Sequence, residues 1–287
     1  MKSEQPVVLE LRGICKNFGA LAANKNIDLK VRRGTVHAII GENGAGKSTL
    51  MNIISDIYQA DAGDILLNGE KVVFKGPMDA CAHGIGMVYQ EFMLFPDLTV
   101  LDNIMMGFEK RRGGIFIDRK KTRAAIEEIC RTYHFNIPLD EKVKGLAVAV
   151  LQQVEIVKVL YKGADIIILD EPTAGQDFFH YTEIMEFLRS LNTLGVTVIM
   201  ITHDMHLMLE YTPRALVFSD GRLIADRSAA GVLCDPALIE RAALKETSLF
   251  TLANRCGIAP PEAFVQRFID FDLSLIHISE PTRRVVI

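Results

Sequence analysis

The stretch "IIILDEPTAGQD", Ile166 to Asp177, places two carboxylates, Asp170 and Glu171, at the end of a short apolar run. Upstream, "GENGAGKST", Gly41 to Thr49, fits the spacing GxxxxGK(S/T) through Gly41, Gly46, Lys47 and Ser48. Glycines in such a loop let backbone N–H groups turn inward around phosphates, and a following helix adds the positive end of its dipole. Asn43 and Gly44 belong to this loop. Lys47 is expected to reach the β- and γ-phosphates, Ser48 to ligate Mg²⁺, and Thr49 to add a phosphate contact. The carboxyl ends of strands in a parallel sheet face the ligand crevice. Asp170 then reaches the Mg²⁺ shell, partly through water, and Glu171 stands where it can orient or deprotonate an attacking water.

These groups need a sheet to hold them. Residues 7–40 read as short strands separated by turns, ending in the apolar stretch Val36–Ile40 before the loop, with a helical run Leu50–Ile54 after it. Ile166–Leu169 and Val196–Ile201 read as buried strands with a helix between them. Asn68-Gly69 and Asp220-Gly221 carry the turn chemistry of two-residue hairpins. Asp118 is placed to cap a helix whose apolar face is Ile126, Ile129, Cys130 and Tyr133; Val150, Val154, Val157 and Tyr161 form another such face. Short apolar strands alternating with helices imply a mostly parallel α/β sheet covered on both sides. Beyond about residue 226, appended helices are expected, broken at Asp235-Pro236 and Pro260-Pro261.

Composition narrows the function classes. The 287 residues carry a net charge of −4, which argues against a nucleic-acid partner. Lys110–Arg112 and Arg119–Arg123 read as solvated surface. Five cysteines without ligand spacing read as reduced, mostly buried thiols. No apolar run approaches the roughly 20 residues of a membrane helix, and the first residues lack a signal-peptide core, so any membrane role is expected to be peripheral.

Further marks stand in a fixed order around the loop and the acids. Gln90 lies in "MVYQEFMLFPDLTVLDNI", His203 closes "VIMITHD", and Phe18 in "KNFG" is suited to stacking on an adenine. Together with "LDEPTA" they make residues 7–226 resemble the ATP-binding cassette (ABC) ATPases, the nucleotide-binding subunits of transporters. The resemblance implies a P-loop NTPase fold with a RecA-like core, an antiparallel β subdomain and a helical signature subdomain at about 92–162. It also implies ATP and Mg²⁺ as ligands, a second cassette to form a sandwich dimer, an integral membrane permease, and a place on the cytoplasmic face of the membrane. By position, Gln90 would touch Mg²⁺ or the attacking water, His203 the γ-phosphate, and Asp177 the dimer partner. DNA-repair relatives insert long coiled coils between the loop and the acids, and the stretch here leaves room only for a compact helical unit.

Two features depart from the pattern. Where the family signature, typically LSGGQ, should stand, this chain reads "GLAVAVLQQVEIVKVL": Leu146 matches, Ala147 replaces the serine, Ala149 the second glycine and Val150 the glutamine. Ala147 offers no hydroxyl to a partner's γ-phosphate, and the Ala149 methyl is expected to crowd the approach, weakening hydrolysis at the opposite site. The helix N-terminus remains as an anion site. Residues 7–174 are most similar to the first cassette of importers for simple sugars and nucleosides. Residues 175–272 instead resemble ATPases of energy-coupling-factor transporters for vitamins or cobalt. A join at 168–175 is therefore expected, with any misfit between the Asp170 strand and Val196–Ile201. The C-terminal helical extension is expected to end near Asp272, since "LSLIHISEPTR", Leu273 to Arg283, resembles a translated sequencing adapter and marks 273–287 as an artefactual tail.

Overall fold

The computed structural model describes residues 5–112, 116–173, 178–244 and 248–279. The chain opens with two long antiparallel strands, β1 (Val7–Phe18) and β2 (Leu21–Arg32), then β3 (Val36–Gly41) and helix α1 (Lys47–Ile54). A hairpin follows, β4 (Ala62–Leu67) and β5 (Glu70–Val72), then α2 (Pro77–Ala82) and β6 (Ile85–Val88). The helical unit comprises α3 (Val100–Met105), a small hairpin of β7 (Arg111–Arg112) and β8 (Phe116–Ile117), α4 (Arg119–Thr132) and α5 (Val148–Tyr161). The chain returns through β9 (Ile166–Asp170), α6 (Phe178–Thr193), β10 (Thr197–Ile201), α7 (Met205–Tyr211), β11 (Arg214–Ser219) and β12 (Arg222–Arg227). It closes with α8 (Ala229–Leu233), α9 (Pro236–Arg241), α10 (Ser248–Arg255) and α11 (Pro261–Ser279).

The expectation of short strands over 7–40 is corrected: β1 and β2 run 12 residues each, paired through several register shifts. Bulges absorb the breaks in alternation that read as turns in the sequence. These strands join β4 and β5 in one sheet of order β2-β1-β4-β5. The second sheet has the order β12-β11-β3-β10-β9-β6, all parallel except the β12 edge. Its inner strands β3 and β10 are buried at every position, which is why they read as unbroken apolar runs rather than alternating ones. Alternation survives as a choice between two covered faces. Ile166, Ile168, Ile199 and Ile201 pack toward α1 and the β1–β2 sheet, while Ile167, Leu169, Val198 and Met200 pack toward α5 and α6. Each such side chain contributes on the order of 1.5–3 kcal/mol by burial.

The turn and cap signals have clear structural counterparts. Asn68 and Gly69 lie at φ 50° and 86°, Asp220 and Gly221 at 48° and 71°, as two-residue hairpin turns require. The Lys121 N–H donates to Asp118 at 3.0 Å, and the Leu238 N–H to Asp235 at 3.1 Å, so the Asp-Pro pair begins α9. Ile126, Val154 and Val157 are fully buried, with Ile129, Cys130, Tyr133, Val150 and Tyr161 packed around them. Arg119 pairs with Asp102, and Arg123 with Asp140 and Glu127, so this cluster is ion-paired rather than merely solvated.

Two further expectations are corrected. Only Cys81 of the five free thiols is buried; Cys15, Cys130 and Cys234 are half-buried and Cys256 is exposed. No misfit separates β9 from β10: their register runs unbroken from Ile166–Thr197 to Asp170–Ile201, because both strands present interlocking branched side chains to the same two faces. The appended helices α8, α9 and α11 pack on the sheet: Val232, Leu238, Val265 and Ile269 share a buried cluster with Ala38, Ile40 and Val217. Helix α11 continues to Ser279, while the remaining tail residues, and Ala174 to Asp177, lie outside the described residues.

Candidate functional site

The phosphate-loop candidate starts where β3 leaves the sheet. Gly41, Gly44 and Gly46 have φ of 144°, 82° and 94°, in the region that favours glycine. A Cβ on Gly41 would stand 2.1 Å from the Phe218 carbonyl oxygen, and one on Gly46 would stand 2.2 Å from that of Ala23. The loop is thus pressed against β11 on one side and β2 on the other. Asn24 of β2, fully buried, donates from Nδ2 to the Gly46 carbonyl at 3.0 Å and fixes the turn into α1. Sequence reasoning missed Asn24; register shifts around it break the parity that would have marked it as inward-facing.

Lys47 begins α1 and folds back over the loop, its Nζ donating to the carbonyls of Gly41 at 2.9 Å and Glu42 at 2.8 Å. Burial pushes its pKa down, while the charges of Glu171, Asp170 and Glu42 oppose that shift. A buried ammonium held only by carbonyls, behind an arc of exposed Asn43 and Gly44, fits an anionic group such as a phosphate chain. Ser48 is exposed and Thr49 half-buried on the first turn.

The second half comes from β9 and β10. Asp170 ends β9, half-buried, with its pKa raised by burial and by the Glu171 charge; a Ser48 hydrogen bond and the charges of Lys47 and His203 work the other way. A buried carboxylate beside a second one suits a divalent cation, which Ser48, Asp170 and Gln90 would hold. Glu171 sits in the left-handed region at φ 49°, and its N–H donates to the Ile201 carbonyl at 3.1 Å. That turn aims its side chain across the end of β10, where Glu171 Oε1 lies 3.0 Å from His203 Nε2. A non-glycine residue held there carries roughly 1–3 kcal/mol of strain, typical of functional positions. Gln90 is exposed two residues beyond Val88, which pairs in register with Leu169, so it leaves the sheet beside Asp170.

Phe18 ends β1 at 43% exposed, its ring edge-on to Tyr58 at 5.3 Å and beneath Lys16 Nζ at 5.5 Å. Tyr58 is a second aromatic that the sequence did not single out.

The signature-like stretch lies elsewhere, at the start of α5. Ala147 is its N-cap and makes no side-chain cap bond. Leu146 is half-buried, Ala149 is buried at 8% exposed, and Val148 stands out at 42%. In the first turn of α5 the Ala149 methyl is thus turned inward, whereas Val148 faces solvent. Asp177 falls outside the described residues.

A protein-family model described as ABC transporter matches residues 24–174. A putative ABC transporter ATP-binding protein of Clostridium perfringens is 42% identical over 271 residues, covering 94% of this chain and 47% of its own. A putative ribose/galactose/methyl galactoside import ATP-binding protein of Burkholderia lata is 38% identical over 243 residues, 85% of this chain and 46% of its own. The chain thus spans about half the length of the curated relatives it matches. The likeness to the Clostridium protein covers both sides of the expected join at 168–175. Among solved structures, a nucleotide-free ATP-binding cassette from an ABC transporter superposes with a TM-score of 0.74 at 26% identity, over 82% of this chain and 98% of its own. For cbiO1 of Clostridium perfringens, part of the complex cbiONQ, the TM-score is 0.71 at 27% identity, over 87% and 100%.

Proposed function

The chain belongs to the ABC transporter family, and on that premise we propose that it is the ATP-binding and ATP-hydrolysing cassette of an importer for simple sugars or nucleosides. The observation that carries the reading is the convergence of Lys47, Ser48, Asp170, Glu171 and His203 at the carboxyl ends of β3, β9 and β10. Lys47 and the loop N–H groups bind the phosphate chain of ATP, and Phe18 stacks on the adenine. Mg²⁺, when bound, neutralises the phosphate oxygens. Glu171 orients the attacking water and takes its proton at the carboxylate, while His203 contacts the γ-phosphate and fixes the Glu171 rotamer through Nε2. Gln90 touches the Mg²⁺ shell or the water.

The partners in this reading are a second cassette and an integral membrane permease, with the chain peripheral on the cytoplasmic face. Among the described residues, no helix is long and apolar enough to cross a membrane. The sugar assignment is supported by the several sugar-import relatives. In the sandwich, residues 146–150 face the partner's nucleotide, where the missing Ala147 hydroxyl and the projecting Val148 weaken hydrolysis, and Asp177 belongs to a dimer-contact loop.

Phosphate release from ATP by the purified chain, against a Glu171→Gln control, tests the enzyme reading; equal rates in both would sink it. A rate matching that of a cassette with an intact signature would overturn the weakening. The likeness to cbiO1 supports a second reading, an energy-coupling-factor cassette for cobalt or vitamins. Co-expression with a sugar permease and with an energy-coupling-factor membrane subunit separates the two. Stable co-purification with the first supports the sugar reading, and with the second alone it supports the alternative. Binding to neither identifies a chain without a cognate permease.

A further inference from the structure

Helix α5 carries a row of polar residues at single-turn spacing, Gln152, Glu155 and Lys158, on a helix that is apolar at most other positions. Gln152 and Glu155 are 5% and 2% exposed. Lys158 Nζ lies 2.5 Å from Glu155 Oε2 and donates to the Met93 carbonyl at 3.0 Å. Met93 belongs to the loop that leaves β6 and carries Gln90. Farther along, the same loop is tied to α3, where the Phe95 N–H donates to Asn103 Oδ1 at 2.7 Å and Asn103 Nδ2 to the Phe95 carbonyl at 3.1 Å. Residues 89–92 are therefore slung between two fixed points: Val88, hydrogen-bonded into the sheet beside β9, and Met93, held by α5.

We propose that Lys158 is a positioning residue that fastens the Gln90 loop to α5, so that displacement of this helix sets how far Gln90 reaches toward Asp170 and Glu171. The proposal rests on the reading of Gln90 as a contact to Mg²⁺ or the attacking water. It adds a direct tie between that loop and the helix whose N-terminus holds residues 146–150. The row also contains a release. Gln152 Nε2 and Glu155 Oε1 are buried, and neither has a hydrogen-bond partner among the described residues. They are a donor and an acceptor one turn apart, and a buried polar group left unmet is destabilising. Turning Glu155 from Lys158 toward Gln152 satisfies both and loosens the hold on Met93. The clamp thus has a second arrangement available within the same helix.

The test uses the full chain and three variants. Lys158→Met removes the donor, Lys158→Arg restores one, and the pair Lys158→Met with Glu155→Gln removes the donor without leaving a buried charge unpaired. Amide hydrogen exchange of residues 89–95 without nucleotide is expected to rise severalfold in both Met variants and return toward wild type with Arg. Unchanged exchange overturns the clamp, and this readout does not depend on hydrolysis. For ATP turnover, kcat is expected to fall on the order of tenfold, a typical cost of a misplaced contact, with KM for ATP unchanged. The requirement for Mg²⁺ is expected to move upward. In a Gln90→Ala background, Lys158→Met is expected to cost nothing further. Additive losses overturn the proposal even where exchange rises, whereas a wild-type chain that hydrolyses no ATP refutes the functional reading and leaves the exchange result standing.

Discussion

Two helix N-termini in this protein, those of α1 and α5, are proposed to face nucleotide and differ sharply in local structure. At α1, three glycines at positive φ hold the loop open, Asn24 pins the turn, and Lys47 lies buried across it. At α5, Ala147 caps without a side-chain bond and Val148 stands exposed beside it. A helix N-terminus supplies its dipole in either case; what differs is whether backbone N–H groups can be approached closely. On the proposed function, the contrast sets a complete phosphate-binding half-site in this chain's own core against an altered half-site offered to a partner. The two halves depend on separate stretches of sequence and can decay independently.

The largest expected effect tests the intact half. Glu171→Gln is expected to lower the rate of phosphate release by about 10²–10⁴-fold, the usual worth of a general base, while nucleotide affinity stays near wild type. A loss below tenfold in single-turnover measurements would place the proton acceptor elsewhere. Next, Gly46→Ala puts a methyl 2.2 Å from the Ala23 carbonyl at a φ of 94°. It is expected to destabilise the chain by about 1–3 kcal/mol or more in chemical denaturation.

The third prediction concerns pH. Asp170 is raised above the ordinary carboxylate value by burial and by Glu171. Protonated Asp170 cannot hold a dication, so Mg²⁺ affinity is expected to fall as pH drops through that raised value, by about tenfold per unit below it. Removing the Glu171 charge is expected to move this loss to lower pH, which Mg²⁺ titration at a series of pH values reads directly. The metal-free chain behaves in the opposite sense. Because Asp170 binds its proton more tightly folded than unfolded, its contribution to stability declines as pH rises between the two values. The smallest effect sharpens the other side: Ala147→Ser supplies the missing cap and is expected to stabilise by about 1 kcal/mol in thermal melts.

Much of the candidate site was legible because its residues are local. Lys47 and Ser48 follow Gly46 along one turn, and Asp170 and Glu171 adjoin at one strand end, so spacing alone singled them out. The fold class was legible for a similar reason, since strands buried on both faces must be apolar throughout. The length of β1 and β2 was not, because bulges break the alternation that identifies a strand. Asn24 escaped for the same reason. Val148 escaped because burial within the first turn of a helix depends on what packs against it, and only the fold shows that Ala149 faces inward.

The sequence by itself determined the phosphate loop, the acid pair and the loss of signature residues, because each is a matter of residue type at short separation. The tertiary structure alone decided which groups from distant segments meet. It brought His203 onto Glu171, seated Gly46 against β2, tied Met93 to Lys158, and packed α8, α9 and α11 against the sheet. The physical reason is that strand order and helix packing fix these encounters, and a strand order of β3-β10-β9-β6 is written nowhere in the local pattern of any one segment.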